Sequence, residues 1–146
     1  MATFSRHVDV DWNGSIMEGK GEVKAGSGAF SLPVTFPARI GEPAGHTSPE
    51  ELIAAAHAAC FAMALNATVG RKGGSIAKTH VNATVTADKG ATGIKITTSK
   101  LTVVAEGLQG IDKGDFAAVA KEAEGGCPVS NALRGSLQIE LETEVR

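Results

Sequence analysis

Four residues have the types and spacing to do chemistry: Cys60, Cys127, Arg39 and Glu50. A cysteine attacks or is oxidised as its thiolate, so the question for each sulfur is what lowers its pKa. Cys127 follows Gly125-Gly126 and precedes Pro128, which is the N-cap position of a helix. There, unpaired N–H groups and the helix dipole favour a negative charge. Cys60 lies in His57-Ala58-Ala59-Cys60-Phe61, inside an apolar helical stretch. Burial by itself raises a thiol pKa, and the plain alternative for Cys60 is a small apolar core residue. Helix position alone therefore nominates Cys127 as the more nucleophilic sulfur. Cys60 needs a cation within hydrogen-bonding distance, and Arg39 in the preceding loop is the candidate, its plain alternative being an exposed loop charge. His57, three residues before Cys60, shares its helical face and suits packing or hydrogen bonding as well as tuning of the thiol.

These residues must be positioned by a small set of elements. The clearest helix start is Ser48-Pro49-Glu50-Glu51, with Ser48 at the N-cap, Pro49 at N1 and Glu51 at N3 to complete a capping box. The helix runs to about Val69, where Gly70, Gly73 and Gly74 end it. Alanine, leucine, isoleucine and methionine lie all round it, which predicts burial on every side and close approach by another helix. Before it, Trp12-Asn13-Gly14 reads as a turn, Met17 to Lys24 and Phe30 to Phe36 as strands, and Arg39 to Thr47 as a connection. After it, the alternation of Val81, Ala83, Val85, Ala87 and of Leu101, Val103, Ala105 predicts an antiparallel hairpin turning near Asp88-Lys89-Gly90. A second helix is expected over Asp112 to Ala123, a third from Cys127-Pro128 to near Gly135, and a last strand from Leu137 to Val145. Strands, helix, hairpin, helices and strand in that order argue for an α+β fold with antiparallel sheets.

The bulk numbers narrow the function classes. A chain of 146 residues fits one domain, 1–146, and can bury a core without staples. A net charge of -2 gives no basic surface for nucleic acid or anionic lipid. Residues 1–11 are polar and lack the apolar core of a signal peptide. The longest apolar run, Leu52 to Leu65, is shorter than the roughly 20 residues of a membrane span. The expectation is a cytoplasmic protein, in which two cysteines pair transiently and chemically rather than as a permanent staple.

Three motifs together are specific: Thr47-Ser48-Pro49-Glu50-Glu51-Leu52, His57-Ala58-Ala59-Cys60-Phe61 and Gly126-Cys127-Pro128-Val129-Ser130. In order and separation they resemble the OsmC/Ohr family of hydroperoxide reductases, over nearly the whole chain. His57 and the loop Ala38-Arg39-Ile40-Gly41 look like the OsmC branch. The Ohr branch usually carries an aromatic residue at the position of His57 and an arginine nearer the N-terminus. Ser48 stands where asparagine is more frequent, and serine caps as well. The resemblance implies an OsmC-like intertwined homodimer, its sheets wrapped around central helices and its active sites at the interface. It implies an organic hydroperoxide substrate, a dithiol reductant such as a lipoyl group, and no cofactor. It also assigns attack to Cys60, resolution to Cys127, activation to Arg39 and orientation of that arginine to Glu50, which reverses the ranking drawn from helix position.

The implied chemistry is a thiolate attacking the distal peroxide oxygen, followed by condensation of the sulfenic acid with the second thiol. Glu51 at N3 suits capping, which leaves Glu50 free to hold Arg39. Glu50 and Cys60 are ten residues apart on one helix, roughly 15 Å at 1.5 Å per residue, so either the site does not use both, or, as expected here, a second chain brings Glu50 to it, alone or together with Arg39. Phe61 and Met63 are expected to line an apolar pocket. Two rivals remain at this level. A zinc module from Cys60, Cys127, His57 and His46 lacks the usual close cysteine pairs. A stress or lipid-binding protein with the same fold would need none of the four residues.

Overall fold

Apolar alternation builds two separate three-stranded sheets, connected by a long helix, in a computed structural model that describes residues 2–146. The chain divides into two units, one ending at Leu52 and one spanning Ile53–Arg146. The first unit holds β1 (Val8–Asn13), β2 (Lys20–Ala25) and β3 (Ser31–Val34), paired antiparallel in that order. A five-residue helix α1 (Phe36–Ile40) follows, with Thr35 capping the Ala38 amide. Sequence patterning missed β1 and α1. Val8, Val10 and Trp12 alternate with acidic residues, which supplies the strand period, and Trp12 and Asn13 pair with β2 where a turn was expected. Pro37 sits in the first turn of α1, where a missing N–H costs nothing. Thr47 then donates its backbone N–H to Pro33 and bridges to Val34, tying the connection back to β3.

Helix α2 (Pro49–Arg71) starts where the sequence signals place it. Ser48 Oγ accepts the Glu51 amide at 3.1 Å, an N-cap as expected. The second half of the capping box is replaced: the Glu51 carboxylate accepts the Thr47 hydroxyl at 2.8 Å. Gly73, at φ +80°, terminates the helix in the left-handed region, with Gly74 bonding back to Val69. At 23 residues and a mean hydropathy of 1.7 over 18 of them, α2 exceeds the apolar run read from sequence and would span a membrane by length and composition alone. Its buried residues, His57, Phe61, Leu65, Thr68 and Val69, nevertheless form one stripe at spacings of three and four, packed as a core helix packs. The opposite stripe, Ala55, Ala56, Ala59, Met63 and Ala67, is exposed, so the helix is not buried on every side.

In the second unit, β4 (Ser75–Gly90) and β5 (Gly93–Gln109) make the expected hairpin, turning at Ala91-Thr92 just beyond the predicted tripeptide. A single turn at Lys113–Asp115, capped by the Asp112 carboxylate, leads into α3 (Phe116–Gly125), and α4 (Pro128–Leu133) follows. The last strand, β6 (Gln138–Val145), pairs with β5 in parallel, a departure from the antiparallel sheets expected. Its partner is fixed by the helical crossover between the strands, which returns the chain in the direction of β5. Phe61, Leu65 and Val69 of α2 meet Leu101, Val103 and Ala105 of β5 and Phe116, Val119, Ala120 and Ala123 of α3 in one core. Each of the larger side chains contributes about 1.5–3 kcal/mol by burial.

Candidate functional site

Cys127 arrives at its position because α3 ends on Gly126, whose N–H bonds back to Glu122 and Ala123, and α4 begins on Pro128. It is the N-cap of α4, as the Gly-Gly-Cys-Pro spacing predicts, yet its thiol makes no capping bond and the residue is fully buried. Helix position alone favoured this sulfur, and full burial puts it out of reach of solvent. Cys60, one turn after His57 on α2, is half-buried at the edge of the core. Its sulfur lies beside the backbone N–H of Val129, in the first turn of α4, and beside the Cys127 thiol, both of which bear on its pKa. Burial, first, and the neighbouring Cys127 push the Cys60 thiol up, while the Val129 amide pulls it down; burial prevails. Both sulfurs are free thiols.

In the first unit, Arg39 and Glu50 form a forked ion pair. Arg39 Nε donates to both carboxylate oxygens at 3.1 Å, and Nη2 reaches Oε1 at 2.6 Å. The pair is largely shielded, with the side chains 27% and 15% exposed, so it holds its geometry better than a surface pair. The Arg39 hydrogen bonds keep the Glu50 carboxyl below the ordinary carboxylate range, against the opposing effect of burial. Glu50 rather than Glu51 takes the arginine, as the capping argument anticipated, because Glu51 is occupied by Thr47.

His57 is wholly buried, and both ring nitrogens are engaged: Nδ1 with Ser99 Oγ and Nε2 with Ser130 Oγ, each at 2.7 Å. Burial pushes its pKa down, Glu124 pulls it up and Arg134 pushes it down, leaving a neutral imidazole at pH 7. With both nitrogens bonded it has no lone pair to offer a metal, and His46 bonds its own Pro43 carbonyl; among the described residues no group of three or more His, Cys, Asp or Glu gathers as a metal cage. The two serines escaped the sequence reading. Ser99 shares a strand face with Leu101, Val103 and Ala105, and a hydroxyl on an apolar face signals a buried partner. Phe61 is a core residue rather than a pocket wall, fixed by its position in the His57-Phe61-Leu65 stripe, while Met63 is 73% exposed on the other face.

Comparison with known proteins identifies the family of the chain. The family model described as OsmC-like protein matches residues 41–142, a span that includes Glu50, Cys60 and Cys127. The chain is 37% identical over 142 residues to a protein of Escherichia coli (strain K12) named peroxiredoxin OsmC, covering 96% of this chain and 97% of that one. It is 32% identical over 127 residues to the organic hydroperoxide resistance protein OhrA of Bacillus subtilis (strain 168), covering 84% and 86%. The crystal structure of the organic hydroperoxide resistance protein OhrB of Bacillus subtilis superposes with a TM-score of 0.72 at 26% identity, covering 94% of this chain and 98% of that one. Identity is higher to the OsmC relative than to the two Ohr proteins, in accord with the branch read from His57 and the Arg39 loop. By motif order, fold and near full-length similarity, the chain belongs to the OsmC-like protein family.

Proposed function

We propose that this protein is a cytoplasmic thiol-dependent peroxidase that reduces organic hydroperoxides to alcohols, acting as one domain per chain in a homodimer. The observation that carries the proposal is the thiol pair: a half-buried Cys60 beside the Val129 amide, packed against the core that holds a fully buried Cys127. The half-buried sulfur is the one a peroxide can meet. The names of the relatives, peroxiredoxin and organic hydroperoxide resistance protein, support the same chemistry.

In the proposed cycle the Cys60 thiolate attacks the distal peroxide oxygen; the O–O bond breaks and the alkoxide leaves as an alcohol after taking a proton. Cys60 becomes a sulfenic acid. The Cys127 sulfur then displaces the sulfenic oxygen, which leaves with the thiol proton as water, and a Cys60–Cys127 disulfide forms. A dithiol, of which a lipoyl group is one example, restores both thiols by exchange. Attack requires a thiolate, whereas the Cys60 thiol of an isolated chain is held up by burial. The Arg39–Glu50 pair of the partner subunit supplies the missing cation, Glu50 fixing the guanidinium so that it faces both thiolate and leaving oxygen. The exposed apolar residues Val8, Val10, Trp12 and Met63 support a dimer that covers them.

Steady-state turnover of cumene hydroperoxide with dihydrolipoamide as reductant tests the proposal. Wild type turns over and Cys60→Ser does not, a loss of at least about a thousandfold, because the nucleophile is gone. Turnover by Cys60→Ser at the wild-type rate would refute it.

A further inference from the structure

The proposed chemistry leaves unused a fully buried imidazole that is bonded at both nitrogens. The second unit buries four polar side chains, His57, Thr68, Ser99 and Ser130, and three of them form one cluster. Thr68 satisfies itself on the Ala64 carbonyl of its own helix, as threonine in helices often does. The His57 cluster instead joins three elements: α2 through the imidazole, β5 through Ser99 and α4 through Ser130. An apolar residue would fill the same space without the cost of burying a ring and two hydroxyls. What directional bonds add is fixed geometry.

The place of the clamp is specific. His57 stands three residues before Cys60 on α2, and Ser130 three residues after Cys127 on α4. The Nε2–Ser130 bond therefore ties together the two elements that carry the sulfurs, one turn away from each. Both imidazole nitrogens are bonded to the serines, so the ring acts on the sulfurs through them. Resting on the peroxidase cycle above, we propose that His57, held by Ser99, is a positioning residue that acts through Ser130 to set the approach of Cys127 to Cys60, and that it governs disulfide closure rather than peroxide attack. Closure asks Cys127 to enter opposite the departing oxygen on Cys60, which depends on where α4 sits on α2. Peroxide attack asks only for the Cys60 sulfur.

The consequence is a partition. A Cys60 sulfenic acid meets either Cys127, giving the disulfide, or a second peroxide, giving the sulfinic acid. Loosening the clamp slows the first and leaves more time for the second. The test compares wild type with Ser130→Ala under excess cumene hydroperoxide, following loss of the first thiol, disulfide and Cys60 sulfinic acid by quenched intact-mass analysis. Disulfide closure should slow on the order of tenfold more than the first oxidation does, the effect of losing one buried hydrogen bond at a site that depends on alignment, and sulfinic acid should rise accordingly. A second arm replaces peroxide with diamide, which takes both thiol hydrogens and becomes the hydrazine as the disulfide forms; closure should slow by a similar factor there. Slowing with diamide in a protein inert to peroxide would sink the peroxidase proposal and leave the clamp standing. A lowered melting temperature with unchanged partition, or an equal fall in both steps, would overturn the clamp. Should Ser130→Ala not fold, Ser99→Ala, which removes the bond that holds the imidazole from β5, gives the same readout.

Discussion

At the scale of residues, the two cysteines illustrate how neighbours outrank local position. Cys127 holds the helix-start position that favours a thiolate, yet it is buried, and the Val129 amide at that helix start lowers the pKa of Cys60 against the larger effect of burial. His57 offers a residue-scale test that needs no substrate. Its ordinary pKa of 6.5 is lowered in the folded protein, chiefly by burial, with Arg134 lowering it further and Glu124 opposing. The unfolded chain therefore binds a proton more readily, and the stability linked to His57 is fully present above about pH 6.5 and lost as pH falls from there towards the depressed folded value. Thermal unfolding of wild type should show a midpoint that drops across this window, with a shallower drop in His57→Gln. Parallel curves for the two proteins would show that another group sets the acid limit.

At the scale of elements, α2 carries most of the design. Its start was legible because Ser48, Pro49 and Glu51 are strong signals that act locally, and its end because Gly73 adopts a conformation that other residues resist. The hairpin and the last strand were legible from alternation. Sequence patterning missed β1, whose Val8-Val10-Trp12 alternation is clear but short and ends where a turn was expected; it also missed the five-residue α1 and the parallel partner of β6, which depends on where the crossover returns the chain. The candidate site was legible in part for the same reason. Cysteine, arginine and a helix-start carboxylate declare their chemistry by type, whereas Ser99 and Ser130 acquire theirs only from the His57 ring folded against them. The stripe His57-Phe61-Leu65 also predicts a mutational cost. Leu65→Ala should destabilise the protein by about 2–5 kcal/mol in urea unfolding, since it empties a fully buried site between α2, β5 and α3, while Ala67→Ser on the exposed stripe should change stability by less than about 1 kcal/mol. Equal costs at the two positions would contradict the assignment of faces.

At the scale of the whole molecule, the account rests on two chains sharing their residues. If Cys60 of one subunit uses Arg39 and Glu50 of the other, co-expressed Cys60→Ser and Arg39→Ala chains should recover activity that neither has alone. In a mixed dimer one site would regain all its parts, giving about a quarter of wild-type turnover after random pairing. No recovery in a verified mixed dimer would place the whole site within one chain. The central claim, that Cys60 and Cys127 form a peroxide-driven redox pair, is tested most directly by adding one equivalent of cumene hydroperoxide to the reduced protein and counting free thiols, with a non-reducing gel alongside. The account predicts that both thiols of each chain disappear together and that no covalent dimer forms. Survival of both thiols would contradict it, and so would a disulfide that joins two chains.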